Sequence, residues 1–130
     1  MRLLLDTHAL LWALLELSRL SAEATEAIAD VKNQVLVSAA SAFEIALKQT
    51  IGKLRLPALA KEWLPDRVGQ LGETSWLPVS EQHALRAGGL PLLHKDPFDR
   101  LLIAQAIEEG PTLVSRDQHL AQYGVSILTA

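Results

Sequence analysis

The order of apolar segments predicts an α/β domain of three layers, α/β/α, built on a central, mainly parallel sheet of about five strands. Short apolar runs bounded by polar or turn residues, as expected of strands buried on both faces, alternate with segments whose apolar residues recur every three or four positions, as expected of helices. Alternation of that kind implies right-handed crossovers and a sheet covered on both sides. The 130 residues suffice for one domain with a sizeable core and are too few for two.

The first strand is expected at residues 2–5, Arg2-Leu3-Leu4-Leu5, with Asp6 behind it in position to cap a helix whose face carries Leu10, Leu11, Leu14 and Leu15. Ser21 before Ala22-Glu23-Ala24-Thr25-Glu26 marks a second helix start. A second strand is expected at 34–37. The helix after it carries the capping-box pattern Ser41-x-x-Glu44, runs from Ala42 and stops at Gly52. Residues 53–72 are expected to form one or two helices broken at Pro57 and Pro65. A third strand is expected at 76–79, and Ser80 then opens a helix that Gly88-Gly89 ends. Asp96, with Pro97 at the first helical position, opens another whose face carries Phe98, Leu101, Leu102, Gln105 and Ala106, and Gly110-Pro111 ends it. The last strands are expected at 112–114 and 125–128, with Asp117 capping a short helix at 118–122 between them. The chain has no internal repeat and no low-complexity tract.

Composition narrows the function classes. Hydrophobic residues make up 49% of the chain, which excludes a disordered or highly charged protein. The absence of Cys removes disulfides, thiolate metal sites and a Cys nucleophile, and suits a reducing cytoplasm. No apolar stretch approaches the roughly 20 residues that span a bilayer. Asp6 and His8 interrupt the opening Met1-Arg2-Leu3-Leu4-Leu5 where a signal peptide needs an unbroken apolar core, so a soluble, cytoplasmic protein without a membrane partner is expected. The formal charge of -3 lacks the basic excess usual in nucleic-acid binders. Setting aside the four acids considered next leaves a surface close to neutral, which need not repel phosphate.

Asp6, Glu44, Asp99 and Asp117 all sit where a strand-like run gives way to a helix-like one. In a parallel sheet such positions meet at the carboxyl ends of the strands, where ligands bind. Carboxylates brought together there repel one another and resist desolvation, and a hard divalent cation such as Mg²⁺ relieves both effects. A metal-dependent hydrolase of phosphate esters is the leading reading. Each acid also has a purely structural reading: Glu44 as the far half of a capping box, Asp96 as an N-cap, Asp99 as a first-turn charge facing the helix dipole, and Asp6 and Asp117 as caps.

The motifs Leu3-Leu4-Leu5-Asp6-Thr7-His8, Ser41-Ala42-Phe43-Glu44-Ile45, Asp96-Pro97-Phe98-Asp99-Arg100-Leu101-Leu102-Ile103-Ala104-Gln105-Ala106 and Leu113-Val114-Ser115-Arg116-Asp117 resemble the four signature blocks of the PIN-domain ribonucleases, and more narrowly those of the VapC-type toxins of toxin-antitoxin pairs. The resemblance covers essentially the whole chain and is most specific from Asp96 to Ala106. It implies a single PIN domain over residues 1–130, with Asp6, Glu44, Asp99 and Asp117 as the catalytic, metal-binding acids. It further implies Mg²⁺ or Mn²⁺ as cofactor, RNA as substrate, cleavage by metal-activated water, a VapB-like antitoxin as partner, and a homodimer. Ser115, and Thr7 beside Asp6, are suited to hydrogen-bond a ligand water or a carboxylate. Arg100 and Arg116 flank the acids as candidate phosphate clamps, with Arg100 equally able to orient a carboxylate, and Asp96 belongs to the motif but reads as a cap.

Other residues take the plainer reading. His8, His83, His94 and His119 share no metal-ligand spacing. Trp12 and Trp76 are expected in the core, although they and Trp63 have the chemistry to stack on bases. Lys48, Lys53 and Arg55 are expected to form a solvated basic face. The apolar segment from Leu10 to Leu17 is richer than a small monomer needs on one helix, which suits a second copy or a partner helix. Two other functions compete: a non-catalytic binding module in which the acids are only caps, and a phosphotransferase or phosphatase using Asp6 as phosphoryl acceptor, a chemistry that wants a second Asp where His8 stands.

Overall fold

The computed structural model describes residues 1–130. Its strands are β1 (Arg2–Leu5), β2 (Gln34–Ser38), β3 (Thr74–Leu77), β4 (Thr112–Ser115) and β5 (Ile127–Thr129). Its helices are α1 (Thr7–Leu15), α2 (Ala22–Ala29), α3 (Ala39–Thr50), α4 (Ala60–Gly69), α5 (Glu81–Gly89) and α6 (Pro97–Glu109), with short 3₁₀ helices at Leu17–Arg19 and Gln118–Tyr123. The strands form one sheet in the order β3-β2-β1-β4-β5, and every neighbouring pair is parallel.

Alternation along the central strands builds the three layers. Leu3 and Leu5 of β1, Val35 and Val37 of β2 and Val114 of β4 pack on one side with Leu10 and Leu14 of α1, Ile45 of α3, and Leu64 and Val68 of α4. Leu4, Leu36 and Leu113, one residue out of phase, pack on the other side with Leu102, Ile103 and Ala106 of α6 and with Leu120. Side chains on a strand alternate between faces, so three consecutive leucines in β1 feed both cores, each with no exposed surface. Burying one such side chain contributes roughly 1.5–3 kcal/mol.

Four details differ from the sequence reading. β3 lies two residues early because Pro78 has no N–H to donate, and the strand closes with Leu77 opposite Ser38. Trp76 therefore stands on an edge strand, 40% exposed, and not in the core. β5 begins at Ile127, three residues beyond the left-handed turn at Gly124 (φ 84°), so that Ile127, Leu128 and Thr129 pair with Leu113, Val114 and Ser115. Pro65 lies inside α4 without breaking it: Ala60, Leu64 and Val68 hold one face on the core while Pro65 projects to solvent. The capping box at Ser41 is absent. Ser38 closes β2 and caps α3 at once, its hydroxyl accepting from the Ala40 N–H at 3.0 Å, so the helix starts three residues earlier and Ser41 falls inside it.

β1, β2 and β4 run directly into Asp6, α3 and Arg116-Asp117 at their carboxyl ends. α6 reaches the same edge with its first turn. Asp96 caps it through the Phe98 and Asp99 amides at 2.9 and 3.1 Å, and Gly110 (φ 83°) ends it far from that edge.

Candidate active site

Asp6 is the residue on which β1 ends and α1 begins. Its backbone N–H extends the sheet by donating to the Val114 carbonyl at 3.0 Å, and Oδ1 accepts from the Ala9 N–H at 2.8 Å as the cap of α1. Capping and a place on the cavity wall are thus compatible roles. Burial pushes its carboxyl above the usual range. Hydrogen bonds from the Ser115 hydroxyl and the Ala9 amide oppose that rise, and nearby Asp99 adds to it. A hydroxyl, an amide and the field of His8, not a Lys or Arg, are the groups that answer this carboxyl.

Ser115, the last residue of β4, ties two acids together. Besides serving Asp6, its Oγ accepts from the Asp117 N–H at 3.1 Å. Asp117 caps the 3₁₀ helix at Gln118–Tyr123 through the His119 N–H at 3.0 Å, and its Oδ1 also lies 3.2 Å from His119 Nδ1. Asp99 projects from the first turn of α6 with Oδ2 accepting from His94 Nε2 at 2.7 Å. Burial raises the Asp99 carboxyl as well; the His94 bond works against this, and the fields of Asp96 and Glu44 add to it.

Asp6, Asp99 and Asp117, with Ser115, Arg116, His8 and Trp12, line one cavity of about 410 Å³. Glu44 is not on its wall. The side chain is buried in α3, close enough to raise the Asp99 carboxyl, and is held by Lys48 Nζ at 2.5 Å one helical turn along. The structure therefore brings three of the four acids to one surface and leaves the fourth behind them.

Two supporting residues do other work than expected. The Thr7 hydroxyl donates to Ser41 Oγ at 3.1 Å, bridging α1 and α3 instead of serving Asp6. Arg100 is buried, and its guanidinium donates to the carbonyls of Ala87, Gly88, Leu90, Pro91 and His94. All of these donors go to backbone carbonyls and none to a carboxylate. The guanidinium charge fastens the end of α5 and the loop between α5 and α6, which carries His94. Arg116 does lie on the cavity, its guanidinium 4.2 Å from the centre of the Trp12 ring and donating to the Arg19 carbonyl. Trp12 is correspondingly half-buried on that wall, and it also packs against the core.

Sequence reasoning passed over His94, Lys48 and Trp12 as parts of the site. A signal existed for Lys48, which stands four residues after Glu44 on an expected helix, the spacing of an ion pair.

The PIN-domain family model matches residues 3–125. The chain belongs to the PIN-domain family. Ribonuclease VapC22 of Mycobacterium tuberculosis (strain ATCC 25618 / H37Rv) is 34% identical over 122 residues, covering 92% of this chain and 90% of that protein. Ribonuclease VapC16 of the same organism is 46% identical over 79 residues, a match spanning 56% of this PIN domain's chain but only about half, 55%, of VapC16. Among solved structures, VapBC2 from Rickettsia felis bound to a DNA fragment from their promoter superposes with a TM-score of 0.72 at 17% identity, covering 98% of both chains. FitAcB from Neisseria gonorrhoeae superposes with a TM-score of 0.60 at 20% identity, covering 98% of this chain and 96% of its own. At those identities the likeness shows the fold: the same α/β/α arrangement over a five-stranded parallel sheet.

The donor chemistry of the PIN-domain cavity suits a hard divalent cation, with carboxylate and hydroxyl oxygens, no thiolate, and a buried Asp6 whose charge no Lys or Arg compensates. In this structure no three His, Asp or Glu side chains stand close enough to share one ion. The fit lies in the donor set. Three of the acids instead face basic partners: Glu44 with Lys48, Asp99 with His94, and Asp117 with His119. No helix is long and apolar enough to cross a membrane.

Proposed function

We propose that this PIN domain is a Mg²⁺-dependent endoribonuclease and the toxin of a toxin-antitoxin pair, cutting RNA phosphodiester bonds with water as nucleophile. The observation that carries the reading is the cavity at the carboxyl ends of β1 and β4, whose wall carries Asp6, Asp99 and Asp117. Relatives named as ribonucleases support it. Asp6, Asp99 and Asp117 would hold Mg²⁺, or Mn²⁺ in its place, with Glu44 as a further acid once released from Lys48. When bound, the ion supplies the positive charge that activates water and offsets the charge developing on the phosphodiester.

The other residues hold this arrangement. Ser115 fixes Asp6 and Asp117 relative to each other, and His94 fixes one oxygen of Asp99 and leaves the other free. Asp96 caps α6 so that Asp99 faces the cavity. Arg116, poised over Trp12, is the cation on the wall best placed to meet a substrate phosphate.

The same reading gives the chain a VapB-like antitoxin, a cytoplasmic location and a homodimeric state. Leu17 (55% exposed), together with Phe43 and Leu47 of α3 and Ile51 at its C-cap, offers the apolar surface a second copy needs.

RNA cleavage in Mg²⁺ is the test. It is expected to stop with EDTA, and in Asp6→Asn and Asp99→Asn variants whose circular dichroism is unchanged. Cleavage retained by both folded variants overturns the assignment.

A further inference from the structure

A second cavity, of about 280 Å³, lies on the other side of α1's first turns and carries the opposite charge. Its rim is Arg19, Lys48, Lys53 and Arg55; Arg19 is paired with Glu16 and Lys48 with Glu44, so the uncompensated positive charge is that of Lys53 and Arg55. Its floor is Leu11, Ile45 and Leu54. His8 and Trp12 belong to the walls of both cavities, so the acidic and basic surfaces are continuous.

The basic rim is built. Gly52, at φ 79°, turns the chain out of α3 in a left-handed conformation that a side chain would strain, and the Lys53 N–H returns to the Lys48 carbonyl at 2.8 Å. Beyond it the segment alternates: Leu54 and Leu56 pack against the core while Lys53 and Arg55 face out. Gln49 closes the loop from within α3, donating to the Ala58 carbonyl and accepting from the Ala60 N–H, both at 2.9 Å. Two cations are thereby held in register beside the cavity. Arg19 is fastened too, by Glu16 at 3.2 Å.

A cavity walled by three carboxylates repels a polyanion, so a strand cut there needs attraction from neighbouring surface. The continuous basic cavity supplies it. We propose that this cavity is a phosphate subsite for single-stranded RNA, in which Lys53 and Arg55 hold a backbone phosphate upstream or downstream of the bond placed at the acids. The inference rests on the ribonuclease reading of the acidic cavity and assigns the next stretch of the same strand.

The test is the paired variant Lys53→Ala/Arg55→Ala, whose two side chains are exposed and outside both cores. Binding of a fluorescent single-stranded RNA is measured in EDTA across a salt series, Mn²⁺ binding by calorimetry, and cleavage of the same RNA in Mg²⁺. For the variant, RNA binding is expected to weaken roughly tenfold at low salt, with the slope of log K against log salt shallower by about 0.7 for each phosphate no longer held and Mn²⁺ binding unchanged. Unchanged affinity and slope overturn the proposal. So does a failure of the unsubstituted chain to bind the RNA at low salt. If the variant keeps RNA binding but loses binding to a poly-glutamate peptide, the cavity takes an acidic polypeptide and the RNA assignment is wrong. If RNA binding depends on the pair but the unsubstituted chain cuts nothing in Mg²⁺, the subsite stands and the nuclease reading falls.

Discussion

His94 Nε2 donates to Asp99 Oδ2 at 2.7 Å, and the backbone carbonyl of the same His94 is held by Arg100 at 2.9 Å. The side chain that orients a cavity carboxylate is thus fixed by the next residue of that carboxylate's own helix. Partners of this kind, one step removed from a metal, typically alter affinity or activity 10- to 100-fold when deleted. His94→Ala is expected to weaken Mn²⁺ binding by about that factor while leaving the fold intact. Calorimetric titration checks it, and an unchanged affinity would show that Asp99 needs no such support.

Removing Arg100 has a different consequence. Arg100→Ala leaves carbonyls of the α5–α6 loop without donors in a buried setting. Unfolding in urea is expected to shift to lower concentration by the equivalent of about 3 kcal/mol, with little change in slope. Arg100→Lys restores only part of this, because an ammonium offers three donors in place of a five-donor fork. A surface-like loss below about 0.5 kcal/mol would contradict the anchoring role.

Lys48 neutralises Glu44 from one turn along α3. In Lys48→Met the buried carboxylate loses its cation, so the metal-free protein is expected to be less stable by about 1–3 kcal/mol. Added Mn²⁺ should then raise the melting temperature more than in the unsubstituted chain, since ligand stabilisation grows with affinity and no ammonium competes for Glu44. Differential scanning fluorimetry with and without Mn²⁺ measures both effects. An equal Mn²⁺ shift in the two proteins would separate Lys48 from the metal site.

The pH dependence of stability has a definite sign. Burial raises the Asp6 and Asp99 carboxyls above their ordinary value near 3.8, so in that window the folded chain binds more protons than the unfolded one. Their contribution is most favourable below 3.8 and is lost as pH rises through the folded values. Asp6→Asn keeps a competent N-cap and carries no charge. It is expected to melt a few degrees above the unsubstituted chain at neutral pH in EDTA, with the gap closing as pH falls towards 3.8. A gap that persists at low pH would point to a cause other than the buried charge.

The sheet was legible in the sequence because β1, β2 and β4 are dense apolar runs paired on both sides. The edge strands β3 and β5 were displaced, since none of their residues is fully buried and Pro78 and Gly124 set their limits through backbone geometry. The start of α3 was misread because Ser38 ends a strand and caps a helix with the same hydroxyl, which left Ser41-x-x-Glu44 as a decoy. At the cavity, Asp6, Asp99 and Asp117 announced themselves by following strands or opening a helix. Arg100 did not: its partners are carbonyls, which every residue carries, so nothing in the side-chain pattern separates a loop anchor from a phosphate clamp. Trp12 is half apolar contact and half cavity wall, a division that residue type alone cannot express.

β1 sits at the middle of the sheet, with residues 34–37 on one flank and 112–114 on the other. Its neighbour β4 and the Ser115 that serves Asp6 are therefore made more than a hundred residues after β1 itself. A nascent chain leaving the ribosome carries Asp6 and Glu44 early but has no Ser115 or Asp117 to complete the wall, and pairing at such separation is slow to close. Premature termination anywhere before β4 is therefore expected to yield a product without the proposed activity, because Ser115 and Asp117 are missing from the cavity wall.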